Sequence, residues 1–284
     1  MTIRQIDNIA MLRIELDRAR ANGKSIGFVP TMGFLHEGHA SLMRAAAADN
    51  DLVVASIFVN PLQFGADEDL STYPRDLPRD TELAAEAGVD LLFTPDVDEM
   101  YPFGPVLTSV SIDALSNMLE GATRPDHFAG MATVVTKLFS IVGACRAYFG
   151  QKDYQQLAIV RRFVADLSIP VDVVGCPIIR AEDGLALSSR NTYLQPDERV
   201  AATVLNRALL AGAALISSGQ QNPTIVANAM TKLVDAEPLA TLDYAAVVDA
   251  DTLAVPELIS EPWRLLVAAQ VGKPRLIDNI GVAS

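Results

Sequence analysis

Two short apolar runs constrain this chain more than any other feature. Residues 24–29 (KSIGFV), closed by Pro30, and residues 52–59 (LVVASIFV) have the composition of buried strands. Between them lie a glycine-containing loop and a stretch rich in Ala, Leu and Met, 40–49, that reads as a helix. Strand, loop, helix and strand in that order imply parallel pairing through a right-handed crossover. The alternation continues along the chain. A helix is expected at 6–21, from apolar positions Ile6, Ile9, Leu12 and Leu16, ending at Asn22-Gly23. Further helices are expected at 78–87, 132–142 and 153–167, the last stopped by Ser168-Ile169-Pro170, and strands at 90–94, 147–149 and 171–174. Such alternation over some 175 residues specifies an α/β domain on a parallel sheet with helices on both faces. After it the texture changes. Two helices, 196–216 and 224–234, precede strands at 242–248, 264–271 and 276–278 that lack regular intervening helices. The expected division is therefore residues 1–176 as the α/β domain and 177–284 as a smaller α+β domain.

Composition removes several function classes. Half of the 284 residues are hydrophobic and a fifth are charged, an ordinary globular balance. The net charge is −13, and both parts are acidic: 14 basic against 23 acidic residues before position 177, and 8 against 12 from there on. No basic half exists to follow a phosphate backbone, so no nucleic-acid partner is expected. Charges run through the first twenty residues, unlike a signal peptide, and the longest uncharged stretch, 208–231, is broken by SSGQQNP at 217–223, so no membrane span is expected. Cys145 and Cys176 have neither metal-ligand spacing nor the number for a disulfide framework. These features make a cytoplasmic protein the expectation.

Chemistry concentrates in a few loops. Two of the three histidines stand in PTMGFLHEGH, residues 30–39, after the first strand and at the start of a helix. A helix N-terminus presents N–H groups and positive dipole, which favour phosphate, and Gly33 and Gly38 allow close backbone approach. The spacing is not His-Glu-x-x-His, which rules out the zinc-protease pattern. A second concentration, GQKDYQQ at 150–156, also joins a strand to a helix: Gly150 for the turn, Lys152 for phosphate, Asp153 where an N-cap belongs. Both loops fall on the carboxyl edge of the sheet, where open α/β folds bind ligands. LSSRN at 187–191 combines hydroxyls with a guanidinium, a set suited to phosphate oxygens. NPLQFG at 60–65 offers amides to a hydroxylated substrate, and EGATRPDHF at 120–128 holds the third histidine, although a lone Gln or His is more often just surface.

In their order along the chain these motifs resemble the pantothenate synthetases, the pantoate–β-alanine ligases. The resemblance rests on PTMGxLHxGH at 30–39, FVNPxQF at 58–64, Tyr73-Pro74-Arg75 with Asp80, Arg124-Pro125, His127-Phe128, KDxQQ at 152–156 and LSSRN at 187–191, and it covers nearly the whole length. It implies a Rossmann-like fold of the His-x-Gly-His nucleotidyltransferases, and ATP-dependent joining of pantoate to β-alanine through an adenylate. It further implies that Met32, Gly33, Phe34, Leu35, His36, Glu37, Gly38 and His39 line the ATP site, with His36 and His39 on the phosphates and His39 as proton donor or transition-state stabiliser. Gly150, Gln151, Lys152 and Asp153 would contact ATP, Ile179 would sit by adenine, and Leu187, Ser188, Ser189 and Arg190 would close over the triphosphate from the smaller domain. Gln63 and Gln156 would hold pantoate, with Gln63 also beside β-alanine. Catalytic roles would fall to His36, His39, Lys152, Ser188, Ser189 and Arg190, with Mg²⁺ accompanying ATP and a homodimer as the assembly. The chain departs from the family pattern at Gln151, where Glu is common, at Ala129, where Arg is common, and at Phe34, where a small residue is typical. Competing readings are a nucleotidyltransferase that adenylates a phosphate group, which Gln63 and Gln156 disfavour, and a nucleotide-sensing module, which would not need two histidines, Lys152 and Arg190 around the phosphates.

Overall fold

The computed structural model describes residues 3–65 and 70–282. The chain separates into two compact units, Met1–Gln151 with Ile159–Pro177, and Lys152–Ala158 with Ile178–Ser284. The excursion of 152–158 into the second unit puts Lys152, Asp153 and Gln156 there, a detail the expected boundary at 176 does not contain.

The first unit is built on a parallel six-stranded sheet of β1 (Arg4–Ile6), β2 (Ile26–Thr31), β3 (Leu52–Ile57), β4 (Leu91–Phe93), β5 (Cys145–Gly150) and β6 (Val171–Cys176), in the spatial order β1-β4-β3-β2-β5-β6. The expected strands are all present. They read as near-continuous apolar runs because such a sheet is covered on both faces: Phe28, Val29, Val54, Ala55, Leu92, Phe93 and Tyr148 are fully buried. One face packs on the helix Glu37–Asp49 through Ala40, Met43 and Ala46.

The beginning of the chain departs from expectation. Residues 6–21 do not form one helix. Ile6 ends β1, where it lies opposite Phe93, and the helix starts at Ile9, with the Asn8 side chain accepting the Ala10 and Met11 N–H groups. Helical spacing counts Ile6 as part of the amphipathic stripe because a three-residue strand is too short to show its own period. The expected helix 132–142 begins earlier, at His127.

In the second unit β7 (Ala240–Asp249), β8 (Trp263–Val271) and β9 (Arg275–Gly281) form an antiparallel meander. The expected helix 196–216 is two helices, Pro196–Ala201 and Val204–Ser217, separated by a turn at 202–203. The stretch Pro196–Ser217 has the length and apolar composition to cross a membrane. Its Ala201, Ala202, Val204, Leu205, Ala208 and Leu209 are instead core residues, packed with Met230, Val247, Leu265 and Val267. Each buried Val, Leu or Met side chain among them contributes about 1.5–3 kcal/mol.

Candidate active site

The strand order has a topological switch at β2 and β5. From β2 the chain steps outward to β3 and β4. It then returns to β5 on the other side of β2 and continues to β6. Loops leaving the carboxyl ends of two such strands diverge and open a crevice there. The loop after β2 is 32–36, and the turn after β5 starts at Gly150-Gln151.

His36 is the N-cap of the helix Glu37–Asp49, a position where Ser, Thr, Asp or Asn is usual. Its Nδ1 accepts the Gly38 N–H at 3.1 Å, and His39 Nδ1 accepts the His36 N–H at 3.3 Å. Two imidazoles thus make the reciprocal cap usually made by Ser and Glu. Because each Nδ1 is an acceptor, each neutral ring carries its proton on Nε2. The ring centroids are 4.1 Å apart. Two Nε2–H donors on the positive end of a helix are a set chemically suited to anionic oxygen. Glu37 is exposed, and its carboxylate pairs with Arg44.

The His loop is tethered from a distance. Asp80, on the helix Leu77–Glu86, is 1% exposed and accepts the Phe34 and Leu35 N–H groups, each at 2.7 Å. Burial pushes its carboxyl above the usual carboxylate range, and the Leu35 and Phe34 N–H groups oppose that rise. The backbone turns sharply here: Gly33 has φ +85° and Phe34 φ +49°. A Cβ on Gly33 would lie 2.9 Å from Ile57 Cγ2, so the position excludes other residues on two grounds. Phe34, the departure noted in the sequence, occupies a backbone region that disfavours bulky side chains, and its ring stacks under the Arg79 guanidinium at 5.2 Å.

Gln63 closes the short turn Pro61–Gln63 and is 7% exposed. Asn60 Nδ2 donates to Gln63 Oε1 at 3.2 Å, and Tyr101 Oη donates to Asn60 Oδ1 at 2.7 Å. This orients the Gln63 amide so that Nε2 is its donor side, 2.8 Å from Met32 Sδ. The third histidine serves the same turn. His127 Nε2 faces Arg124 Nη1 at 3.1 Å, and a guanidinium can only donate, so the His127 proton is on Nδ1 and is given to the Gln63 carbonyl at 2.8 Å. His127 therefore carries the opposite tautomer to His36 and His39. Burial pushes the Tyr101 phenol up, and also the thiols of Cys145 (to about 12) and Cys176, so neither cysteine supplies a thiolate.

Gly130 fixes where this turn can lie. A Cβ there would come within 2.0 Å of the Leu62 carbonyl oxygen and 2.7 Å of Gln63 N. Gly130→Ala should push the Gln63 turn off the helix His127–Val142 at a cost of about 1–3 kcal/mol. The expected result is a raised substrate KM and a lowered melting temperature. Unchanged values for both would show that the turn accommodates the methyl group without moving.

Gly150 and Gln151 belong to the first unit, and the remaining expected residues to the second. Lys152 Nζ lies 3.3 Å from Asp153 Oδ1, and the Lys152 carbonyl accepts from Asn279 Nδ2 at 2.8 Å. Ile179 accepts the Leu187 N–H at 3.0 Å, closing a hairpin at whose base Arg180 forms a bidentate pair with buried Asp278, at 2.6 and 2.9 Å. Burial pushes Asp278 up, while Arg180 and the more distant charge of Lys152 pull it down. The hairpin leads into Leu187 and Ser188. Ser188 Oγ accepts the Arg190 N–H at 3.3 Å and caps the short turn Ser189–Tyr193. Gln156 is partly buried on the helix Tyr154–Asp166, next to the buried Gln155.

Sequence reasoning passes over the residues that hold these groups. Asp80 falls in a motif without a role, and Gly130, Tyr101, Asp278 and Asn279 stand in no motif at all. Their signal is contact across the fold, which spacing does not carry.

Among known proteins, the family model described as pantoate-beta-alanine ligase matches residues 4–281. Similar sequences include the pantothenate synthetases of Moorella thermoacetica, 53% identical over 97% of each chain, and of Sinorhizobium medicae, 52% identical over 99% of this chain and 97% of that one. Among solved structures, the pantothenate synthetase of Thermus thermophilus superposes with a TM-score of 0.93 at 49% identity, covering 99% of this chain and 100% of its own. The pantoate-beta-alanine ligase of Francisella tularensis, complexed with beta-gamma ATP and beta-alanine, gives a TM-score of 0.78 at 35% identity, over 98% of this chain and 97% of that one.

Proposed function

Because this chain belongs to the pantoate–β-alanine ligase family, we propose roles for its individual residues in that reaction. The enzyme joins pantoate to β-alanine with ATP, giving pantothenate, AMP and pyrophosphate through a pantoyl adenylate.

A carboxylate and an amine do not condense in water without activation. A pantoate carboxylate oxygen attacks the α-phosphorus of ATP in line, that P–O bond forms, and the bond to the bridging oxygen of pyrophosphate breaks. Negative charge builds on the phosphoryl oxygens and on the leaving group. The residues assigned to that charge are His36 and His39, through their Nε2–H groups, and Lys152 and Arg190, through their cations. Met32 to His39 supply the rest of the ATP contact on the first unit. Gly150, Gln151, Lys152, Asp153, Ile179 and Leu187 to Arg190 supply it on the chain that follows β5 and on the second unit. Gln63 binds pantoate. Its Nε2 faces a thioether, a weak acceptor that a substrate hydroxyl or carboxylate oxygen displaces. Gln156 is assigned to pantoate as well, and Gln63 also to β-alanine. In the second step the neutral amine of β-alanine attacks the acyl carbon, the C–O bond to AMP breaks, and the amine loses a proton. Ser188 and Ser189 are assigned to excluding water from the adenylate until then.

Among the described residues no cluster of three or more His, Cys, Asp or Glu is placed to cage a metal ion. Asp153, whose carboxylate lies beside Lys152 Nζ, is the residue that would hold Mg²⁺ together with the substrate phosphates, the way this ion is commonly bound. Held there, Mg²⁺ would supply positive charge beside the phosphates. The reading extends to a cytoplasmic homodimer without nucleic-acid or membrane partners.

One observation carries the assignment most: the reciprocal His36–His39 cap at a helix N-terminus beside the switch point. The test is exchange of labelled pyrophosphate into ATP without β-alanine. Exchange that requires pantoate is the expected result. Exchange absent with pantoate, or unchanged without it, overturns the adenylate step for this chain.

A further inference from the structure

Lys152 is held through its backbone as well as through its charge. Its carbonyl accepts a hydrogen bond from Asn279, on β9, 127 residues further along the chain. Asn279 is 1% exposed, and its own orientation is determined. Its Oδ1 accepts from Arg264 Nε at 3.0 Å, and an arginine cannot accept, so Nδ2 is the atom turned to Lys152. Arg264 is 5% exposed and stacked on the Tyr154 ring, with its Cζ 3.9 Å from the ring centroid. Tyr154 in turn donates to the Ala250 carbonyl at 3.1 Å. A buried chain of contacts thus runs from β8 and β9 to the backbone of the turn Gln151–Asp153, and it ends on the one residue there whose cation is assigned to phosphate.

We propose that Asn279 is a positioning residue for Lys152, acting through the Lys152 carbonyl to fix the direction in which the side chain leaves the turn. The proposal rests on the assignment of Lys152 to the phosphates. Asn279 has no part in binding substrate. Its effect is on the placement of the ammonium group, and a displacement of about 1 Å at such a group lowers rates by about a hundredfold.

The test is a double-mutant cycle read by pantoate-dependent pyrophosphate exchange, with melting temperature as the control for folding. Asn279→Asp is nearly isosteric. It keeps an acceptor for Arg264 Nε, adds an ion pair with it, and loses the donor to Lys152. Asn279→Ala loses the donor without adding charge. Each is expected to lower the exchange rate about 10- to 100-fold in the wild-type background. In a Lys152→Ala background each is expected to lower it less than about twofold, because the group being positioned is gone. Equal losses in both backgrounds would identify Asn279 as a general structural residue and overturn the proposal, as would wild-type exchange in both variants. If Lys152→Ala alone leaves exchange intact, the assignment of Lys152 fails first and the proposal with it. That outcome is distinct from a normal loss on Lys152→Ala with no coupling to Asn279.

Discussion

His39→Ala is expected to lower turnover about 10²- to 10³-fold, the usual loss when one well-aimed donor is removed from developing charge. His39 does two things in the structure, however: its Nδ1 accepts the His36 N–H, and its Nε2 carries a proton. Alanine removes both. The informative companion is His39→Asn, whose side-chain oxygen can accept the His36 N–H but whose amide is too short to take the place of Nε2–H. If the donor to phosphate is what matters, His39→Asn should be nearly as slow as His39→Ala in pyrophosphate exchange while melting near the wild-type temperature. If the cap is what matters, His39→Asn should recover most of the activity, and near-normal turnover in His39→Ala would remove the residue from the mechanism.

Asp80→Ala is expected to have the largest effect on stability. It leaves the Phe34 and Leu35 N–H groups without their acceptor, Leu35 being fully buried. At about 1–3 kcal/mol for each orphaned donor, the loss is about 2–6 kcal/mol. For a unit of this size that corresponds to a fall in melting temperature of about 5–20 °C. Activity should fall further than stability explains, because the freed segment carries His36 and His39. Asp80→Asn keeps one acceptor and presents an amino group to the other N–H, so its loss should be intermediate. A melting temperature and turnover unchanged in Asp80→Ala would show that the loop holds its shape without the tether.

Much of the fold is legible in the sequence, for a physical reason. The inner strands of a sheet covered on both faces must be apolar almost throughout, and the runs around Phe28, Val54, Leu92 and Tyr148 show that without reference to neighbours. The three-residue strand Arg4–Ile6 is not legible, because its hydrogen bonds to the β4 edge decide it and its own pattern does not. The break at 202–203 is hidden likewise, since Ala201, Ala202 and Val204 are equally good in one helix or two and all three are buried.

For the site the same boundary holds. Residue type and position between strand and helix single out His36, His39, Lys152 and the 187–191 segment. A helix N-terminus, a turn glycine and a phosphate-seeking cation are local properties, readable within ten residues. Strand order is not local, so only the folded chain puts the loops after β2 and β5 at a switch point. Nor is support local. Asp80 reaches Leu35 across 45 residues, Gly130 makes room for a turn some seventy residues earlier, and Asn279 reaches back 127 residues to Lys152. Residue order alone therefore establishes most of the elements and the family, and singles out the side chains proposed to carry the chemistry. Which tautomer each histidine carries, and what holds each functional segment still, are set by the packed fold, because a hydrogen bond depends on distance in space and a motif records only distance along the chain.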